Sequence, residues 1–168
     1  MVARRHWDIL AFPGVELTHI PPNAIAEAAR RAKDLGASVV VVHGETIVEP
    51  VEPGTNMAAV QSKDVDILAH PGLLSLEEAI LAKANGVSLE ISARKGHCLT
   101  NGHVVRVGLA AGAKLLLNSD AHDSPDLLTK ELAKGILKGA GLDEQQILDV
   151  IESAPVDLIG RIPPPAHI

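Results

Sequence analysis

Short aliphatic runs alternate with helix-like patterns along the chain. The runs are rich in Val, Ile and Leu, and polar or glycine-containing stretches separate them. They predict five β-strands, at residues 8–17, 38–43, 65–69, 87–91 and 114–118. Strands that alternate with helices are typical of consecutive βα units, so we expect a parallel sheet.

The intervening segments predict helices and one long loop. The predicted helices cover residues 23–35, 57–63, 76–85 and about 102–112, with two more inside 124–160 that break near 139–141. Residues 44–56 contain Pro50, Pro53 and Gly54 and are expected to form a loop. A loop of this length in a compact domain is usually functional.

Composition supports this architecture. Hydrophobic residues make up 46% of the chain and aromatic residues only 1%, so the core must be aliphatic, as buried parallel strands usually are. We expect one domain over residues 1–160, followed by a poorly ordered, proline-rich tail at 161–168.

Charge and cysteine content narrow the functional classes. A net charge of -6 argues against general nucleic-acid binding, which needs a cationic surface. Cys98 is the single cysteine and cannot form an intramolecular disulfide. The sequence shows neither an apolar stretch near membrane-spanning length nor a signal peptide, so we expect a cytoplasmic protein without membrane contact.

Histidine and acidic residues recur where the predicted strands end. Because parallel strands deliver their carboxyl ends to one rim, these side chains are expected to converge. Each residue alone has an ordinary structural interpretation, as a capping carboxylate or a hydrogen-bonded histidine. Together they would remain unpaired or repel one another unless cations bound them. The candidate metal ligands are Glu16, His43, His70, Asp120 and His122.

Mixed imidazole and carboxylate ligands suit zinc, manganese or iron better than calcium or magnesium, which prefer oxygen. Two adjacent ions would lower the pKa of a bound water and stabilise charge on the attacking and leaving oxygens of a phosphoester. The sequence therefore predicts a divalent metal centre with up to two or three ions.

These motifs resemble the later motifs of the PHP (polymerase and histidinol phosphatase) superfamily. The resemblance runs from about residue 7 to 126, and its most specific part is Ala-His-Pro at 69–71 combined with Asp-Ala-His at 120–122. It implies an α/β fold, a partial distorted β/α barrel of the PHP type with about five parallel strands and surrounding helices. It also implies a metal-dependent phosphoester hydrolase.

The resemblance implies a role for each candidate. Glu16 would bridge two ions, His43 and His70 would complete one ion's shell, and Asp120 and His122 would ligate the others and act in catalysis. A metal-bound hydroxide would attack phosphorus. Substrate phosphate would contact Arg94, Lys95 and His97, although the Arg-Lys pair reads equally well as solvated surface charge.

The chain also departs from the superfamily pattern. Its usual first two units, which end in His-x-His and Asp-His, have no counterpart here. We therefore expect two exposed sheet edges that could support self-association into a homo-oligomer. Three hypotheses follow: a hydrolase acting on a small phosphorylated substrate, an assembly in which another chain supplies the missing strands, and a metal-binding or non-enzymatic scaffold with impaired catalysis.

Overall fold

The computed structural model describes residues 11–162 and contains one parallel sheet. Its strands are β1 (Gly14–Leu17), β2 (Val39–His43), β3 (Ile67–Ala69), β4 (Ser88–Ser92) and β5 (Leu115–Asn118). They lie side by side in chain order, and every neighbouring pair is parallel. The sheet stays open between β1 and β5 in the described part of the chain, so the predicted partial barrel with five strands is confirmed.

Four helices connect the strands, and three more come after β5 in the described chain. They are α1 (Pro22–Asp34), α2 (Thr55–Gln61), α3 (Leu76–Asn85), α4 (Asn101–Ala111), α5 (Lys130–Gly139), α6 (Glu144–Leu148) and α7 (Ala154–Arg161). Among the first four helices, each contacts the next one along the chain. This is expected when every crossover turns in the same right-handed sense. A π-helical turn, Asp149–Ser153, joins α6 to α7 and contacts β5.

Two predicted boundaries differ from the structure. The first strand was expected to begin at residue 8; within the described residues it begins at Gly14, just after the interrupting proline, and residues 8–10 lie outside them. The C-terminal part contains three α-helices where two were expected. The predicted break near residues 139–141 separates α5 from α6, and the extra division is the π-helical turn between α6 and α7. α6 begins after Asp143, whose side chain accepts a hydrogen bond from the Gln146 N–H in a capping box.

The predicted tail also begins too early. Arg161 is the last residue of α7, and its guanidinium donates a 2.7 Å hydrogen bond to the Gly86 carbonyl at the end of α3. Residues 163–168 lie outside the described part. None of the described helices is long and apolar enough to cross a membrane.

The core is aliphatic throughout. Strand and helix residues of the described chain interlock there without an aromatic ring, which is consistent with the composition. Among its fully buried members are Ile25, Val40, Leu68, Leu89, Ile91, Val104 and Leu137.

Two glycines allow the loops after β2 and β3 to meet. A Cβ on Gly44 would lie 2.8 Å from Pro71 Cα and would collide with the Ala69 carbonyl, whose oxygen accepts a hydrogen bond from Gly44 N–H. Gly72 has φ +63°, and a Cβ there would collide with the Glu45 carbonyl. Because real Cβ atoms cannot approach backbone so closely, only glycine fits at either position. This close approach brings the ends of β2 and β3 together.

Candidate metal centre

Three buried histidines converge at the carboxyl edge of the sheet. His43 is the last residue of β2, His70 directly follows β3, and His97 begins a short 3₁₀ turn after β4. One ring nitrogen from each lies within 4.8 Å of those of the other two. His70 and His97 stack with centroids 4.1 Å apart, while His43 meets His70 edge-on at 4.4 Å. We call these three residues the imidazole cluster.

A hydrogen bond at Nδ1 orients each ring of the cluster. His70 Nδ1 lies 3.2 Å from the Glu90 carboxylate, and His43 Nδ1 lies 3.0 Å from the Gly44 carbonyl. A carbonyl oxygen and an ionised carboxylate can only accept hydrogen bonds. With Glu90 ionised, Nδ1 therefore carries the proton in both His43 and His70. His97 Nδ1 lies 2.9 Å from the Thr46 hydroxyl, which fixes the ring's orientation without fixing its tautomer.

The Nε2 atoms of two of these histidines have no hydrogen-bond partner among the described residues. Nε2 of His43 and Nε2 of His70 are buried and have no hydrogen-bond partner within the described chain. Leaving a buried polar atom unpaired costs roughly 1–3 kcal/mol, which folds rarely tolerate without a reason. A metal-ligating histidine usually has one ring nitrogen hydrogen-bonded to the protein and the other free to bind the ion, which is the arrangement seen here. The imidazole cluster could therefore hold a metal ion.

Glu90 is itself held in place. Its second oxygen accepts a 2.9 Å hydrogen bond from the Asn118 side chain at the end of β5. The chain from Asn118 through Glu90 to His70 thus links three neighbouring strands. The resulting carboxylate–histidine pair favours the His70 tautomer needed for metal binding.

The electrostatics favour a neutral His97. Burial lowers the pKa of His97, and proximity to His70 lowers it further, while the carboxylates of Asp120 and Glu49 act in the opposite direction. A neutral imidazole keeps a lone pair for coordination, whereas a protonated one does not.

Glu16, the predicted bridging ligand, lies at the rim. Its side chain stays accessible, yet partial burial raises its pKa; His70 and His43 lower it, and Asp120 and Glu90 raise it. Glu16 is therefore in the field of the imidazole cluster, but it is outside the group of converging ligand atoms.

The predicted ligands after β5 are arranged differently. Asp120 Oδ2 lies 3.9 Å from His97 Nε2. The His122 ring is 62% exposed, and its Nδ1 bonds to the Asp120 carbonyl at 2.9 Å rather than joining the cluster. Arg94 donates to Asp126 at 3.0 Å and lies 3.8 Å from Asp120, and Lys95 is exposed. The catalytic and phosphate-binding roles assigned to these residues stay predictions.

Glu90 and Glu49 were not among the predicted ligands, and His97 was assigned another role. Glu90 lies within a strand rather than at its end, and Glu49 lies in the long loop after β2. His97 was expected to contact substrate, yet it joins His43 and His70. Since the loop was expected to be functional, an acidic residue within it was the one available signal.

Three non-glycine residues near the site have a left-handed backbone. They are His19 at φ 55°, His70 at φ 31° and Asp120 at φ 48°. Such conformations cost about 1–3 kcal/mol outside glycine and tend to persist at functional sites. Each residue follows a strand end, so the strain is confined to the rim that carries the candidate centre.

No protein-family model matches the chain. The fold is similar to that of a chain in the cryo-EM structure of archaeal ribonuclease P with mature tRNA, with a TM-score of 0.78 and 16% identity. The match covers 95% of this chain and 72% of that one. At this identity the likeness shows the fold alone.

This comparison corrects the expected partners. We expected a small phosphorylated substrate and no general nucleic-acid binding; the possible self-association through strand edges stays a prediction. A similar fold occurs in a chain of an archaeal ribonuclease P structure with mature tRNA, which contradicts a partner set confined to a small substrate. Net charge supported that expectation, but it is a sum over the whole chain and does not describe local charge and geometry, on which nucleic-acid contacts depend.

A second similarity extends over nearly the whole chain. The uncharacterized protein MJ1295 of Methanocaldococcus jannaschii is 48% identical over 160 residues, which cover 95% of this chain and 73% of that protein. The chain therefore belongs to the same family as MJ1295.

Proposed function

We propose that this protein is a metal-dependent phosphoester hydrolase whose ion is held by the imidazole cluster. The observation that carries the proposal is the pair of buried, unpartnered Nε2 atoms on His43 and His70, beside His97. Three imidazoles favour zinc, with manganese or iron as alternatives. An ion there would lower the pKa of a bound water and polarise a phosphoryl oxygen.

Nucleic acid is the substrate class that we propose. The support is the tRNA complex in which the same fold occurs, together with the metal centre, since ions at such sites stabilise charge on phosphodiester oxygens. Glu16 and Asp120 flank the imidazole cluster and could orient the attacking water or hold a further ion. The resemblance to the PHP superfamily points to the same chemistry.

The first test is metal binding. Purified protein reconstituted with Zn²⁺ or Mn²⁺ and freed of excess metal should retain about one equivalent by mass spectrometry. His70→Ala and His97→Ala should lose it. His103→Ala is the matched control, because His103 Nε2 lies 2.8 Å from the Leu74 carbonyl and outside the imidazole cluster. Retention of metal by His70→Ala would contradict the proposed centre.

The second test is turnover. The metal-loaded protein should cleave an unmodified tRNA transcript or the diester bis(p-nitrophenyl) phosphate, and the chelated protein should not. Cleavage that persists at the same rate in His70→Ala and after chelation would show that the activity does not use this centre.

A metal-binding protein without turnover is the second candidate. It is favoured by Arg94, whose guanidinium donates to Asp126 and so is already engaged within the protein. One equivalent of metal without cleavage of either substrate would support this candidate over hydrolysis.

A further inference from the structure

Glu49 reaches the imidazole cluster from the long loop between β2 and α2. Its Oε2 lies 3.7 Å from Nε2 of His43 and also 3.7 Å from Nε2 of His97. One carboxylate oxygen is thus equidistant from two nitrogens that belong to different segments of the chain.

These distances are too long for hydrogen bonds, for which nitrogen and oxygen approach to about 2.7–3.2 Å. They are closer to what a shared ion would give. Two ligand atoms about 2.1 Å from a tetrahedral zinc ion are separated by roughly 3.4 Å. Small adjustments of an exposed side chain would bring Glu49 to that separation.

The loop is anchored on both sides of Glu49. Before it, Thr46 bonds to His97, and Val48 packs against Gly96. Glu45 fixes the far end of the loop, because its carboxylate accepts hydrogen bonds from Gly54 N–H at 3.0 Å and from the Asn56 N–H at 2.9 Å. The backbone on either side thus holds Glu49 over the imidazole cluster.

Asp120, which also lies near His97 Nε2, has competing partners. Its oxygens lie 3.8 Å from Arg94 Nε and 3.7 Å from His122 Nδ1. Within residues 11–162, the ion-pair partners of Glu49 are His43 and His97. The Glu49 side chain is also 54% exposed, whereas those of the histidines are nearly buried.

We propose that Glu49 is the fourth ligand of the ion and the exchangeable one. The three histidines supply a fixed, buried face, and Glu49 closes the coordination shell from the solvent side. When it swings out, the vacated position is open to water or to a phosphoryl oxygen. This inference rests on the proposed metal centre and adds to it a loop-borne ligand that gates access.

The test compares Glu49→Ala and Glu49→Gln with Glu52→Ala. Glu52 lies on the same loop, is exposed and carries the same charge, so it is a matched control for charge and loop composition. Zinc affinity is measured by competition with a chromophoric chelator. Co²⁺ replaces zinc in a second measurement, because its visible absorption reports the number and type of ligands.

Glu49→Ala should weaken zinc binding at least tenfold. Losing only a group that hydrogen-bonds to a metal ligand already costs about that much, and a direct ligand should cost no less. Its Co²⁺ spectrum should change, and Glu49→Gln should fall between the wild type and Glu49→Ala. Glu52→Ala should remain within about twofold of the wild type. Circular dichroism verifies folding, which loss of an exposed side chain should not disturb.

The outcomes separate the two proposals. If Glu49→Ala keeps wild-type affinity and spectrum while His70→Ala loses the metal, the centre stands and the role of Glu49 is overturned. If Glu52→Ala weakens binding as much as Glu49→Ala, general loop charge explains the effect and the assignment is again overturned. Failure of the wild type to bind either metal would overturn both.

Discussion

Two parts of the same rim make opposite use of similar residues. In the imidazole cluster, each histidine has Nδ1 within hydrogen-bonding distance of a protein group, and Nε2 of His43 and of His70 is buried without a partner in the described chain. In the β5 rim segment, residues 118–126, the ring of His122 is turned to solvent and bonds to its own segment. Both parts carry strand-end histidines that the sequence marks as ligands.

The difference lies in the surrounding structure. His70 is held by Glu90, which is held in turn by Asn118 on a third strand. His122 has no comparable support, because its hydrogen bonds come from within the same short segment. A preorganised ligand binds metal without a further ordering cost, so these supporting contacts make His70 a better candidate ligand than His122.

The largest expected contrast is in metal affinity. His70→Ala should weaken zinc binding more than 100-fold. This exceeds the roughly 10- to 100-fold cost of losing a residue that only hydrogen-bonds to a metal ligand. His122→Ala should stay within about threefold, because the His122 ring lies outside the cluster. Isothermal titration of both variants measures this directly. Equal losses would remove the distinction between the two regions.

Metal should stabilise the folded chain next most strongly. At a free zinc concentration about 100 times Kd, binding adds about 2.7 kcal/mol to the free energy of unfolding. For a chain of this size that raises Tm by roughly 5–11 °C. His122→Ala should keep this shift, His70→Ala should lose it, and EDTA should reverse it. A wild-type Tm that is indifferent to zinc would contradict the metal centre.

Glu90→Gln tests the supporting contact. The amide removes the charge that strengthens the hydrogen bond, and it leaves one acceptor oxygen where His70 and Asn118 each had their own. Zinc affinity should fall about tenfold, which is the lower end of the effect expected when a residue that hydrogen-bonds to a metal ligand is changed. Glu77→Gln, an exposed substitution in the first turn of α3, is the control. An unchanged affinity in Glu90→Gln would show that shape alone orients His70.

The smallest effect concerns pH in the β5 rim segment. Backbone hydrogen bonds from His122 and Asp123 lower the pKa of Asp126, and Arg94 lowers it further. Its ionised carboxylate therefore stabilises the segment above its usual pKa range, and this contribution is lost as pH falls through the lowered value.

NMR titration checks this prediction through the amide of His122. Its midpoint should lie below the usual range for aspartate, and Arg94→Gln should raise it only slightly, since the backbone bonds dominate. A large rise in Arg94→Gln would instead make the ion pair the main cause. A midpoint in the usual range would show that the segment lacks these hydrogen bonds in solution.

The aliphatic pattern was sufficient for the fold. All five strands were predicted near their observed positions because buried parallel strands are apolar on both faces, and their polar ends mark the rim. The final helices were less predictable. The break near residues 139–141 was predicted, whereas the π-helical turn that divides the second predicted helix lies where the hydrophobic spacing alone continues without a break.

The candidate centre was predicted only in part. His43 and His70 were identified because each terminates an apolar strand. Glu90 and Glu49 were not named as candidates, since Glu90 lies inside a strand rather than at its end, and Glu49 lies in a loop, where sequence position gives no direction to a side chain.

By itself, the sequence determined the parallel α/β architecture and the rim at which histidines and acids gather, because both follow from local periodicity and strand polarity. Only the tertiary structure decided which of those residues meet. His97 joins His43 and His70 while His122 turns away, because convergence depends on loop paths and on hydrogen bonds between distant strands. Those contacts leave no periodic signal in the chain.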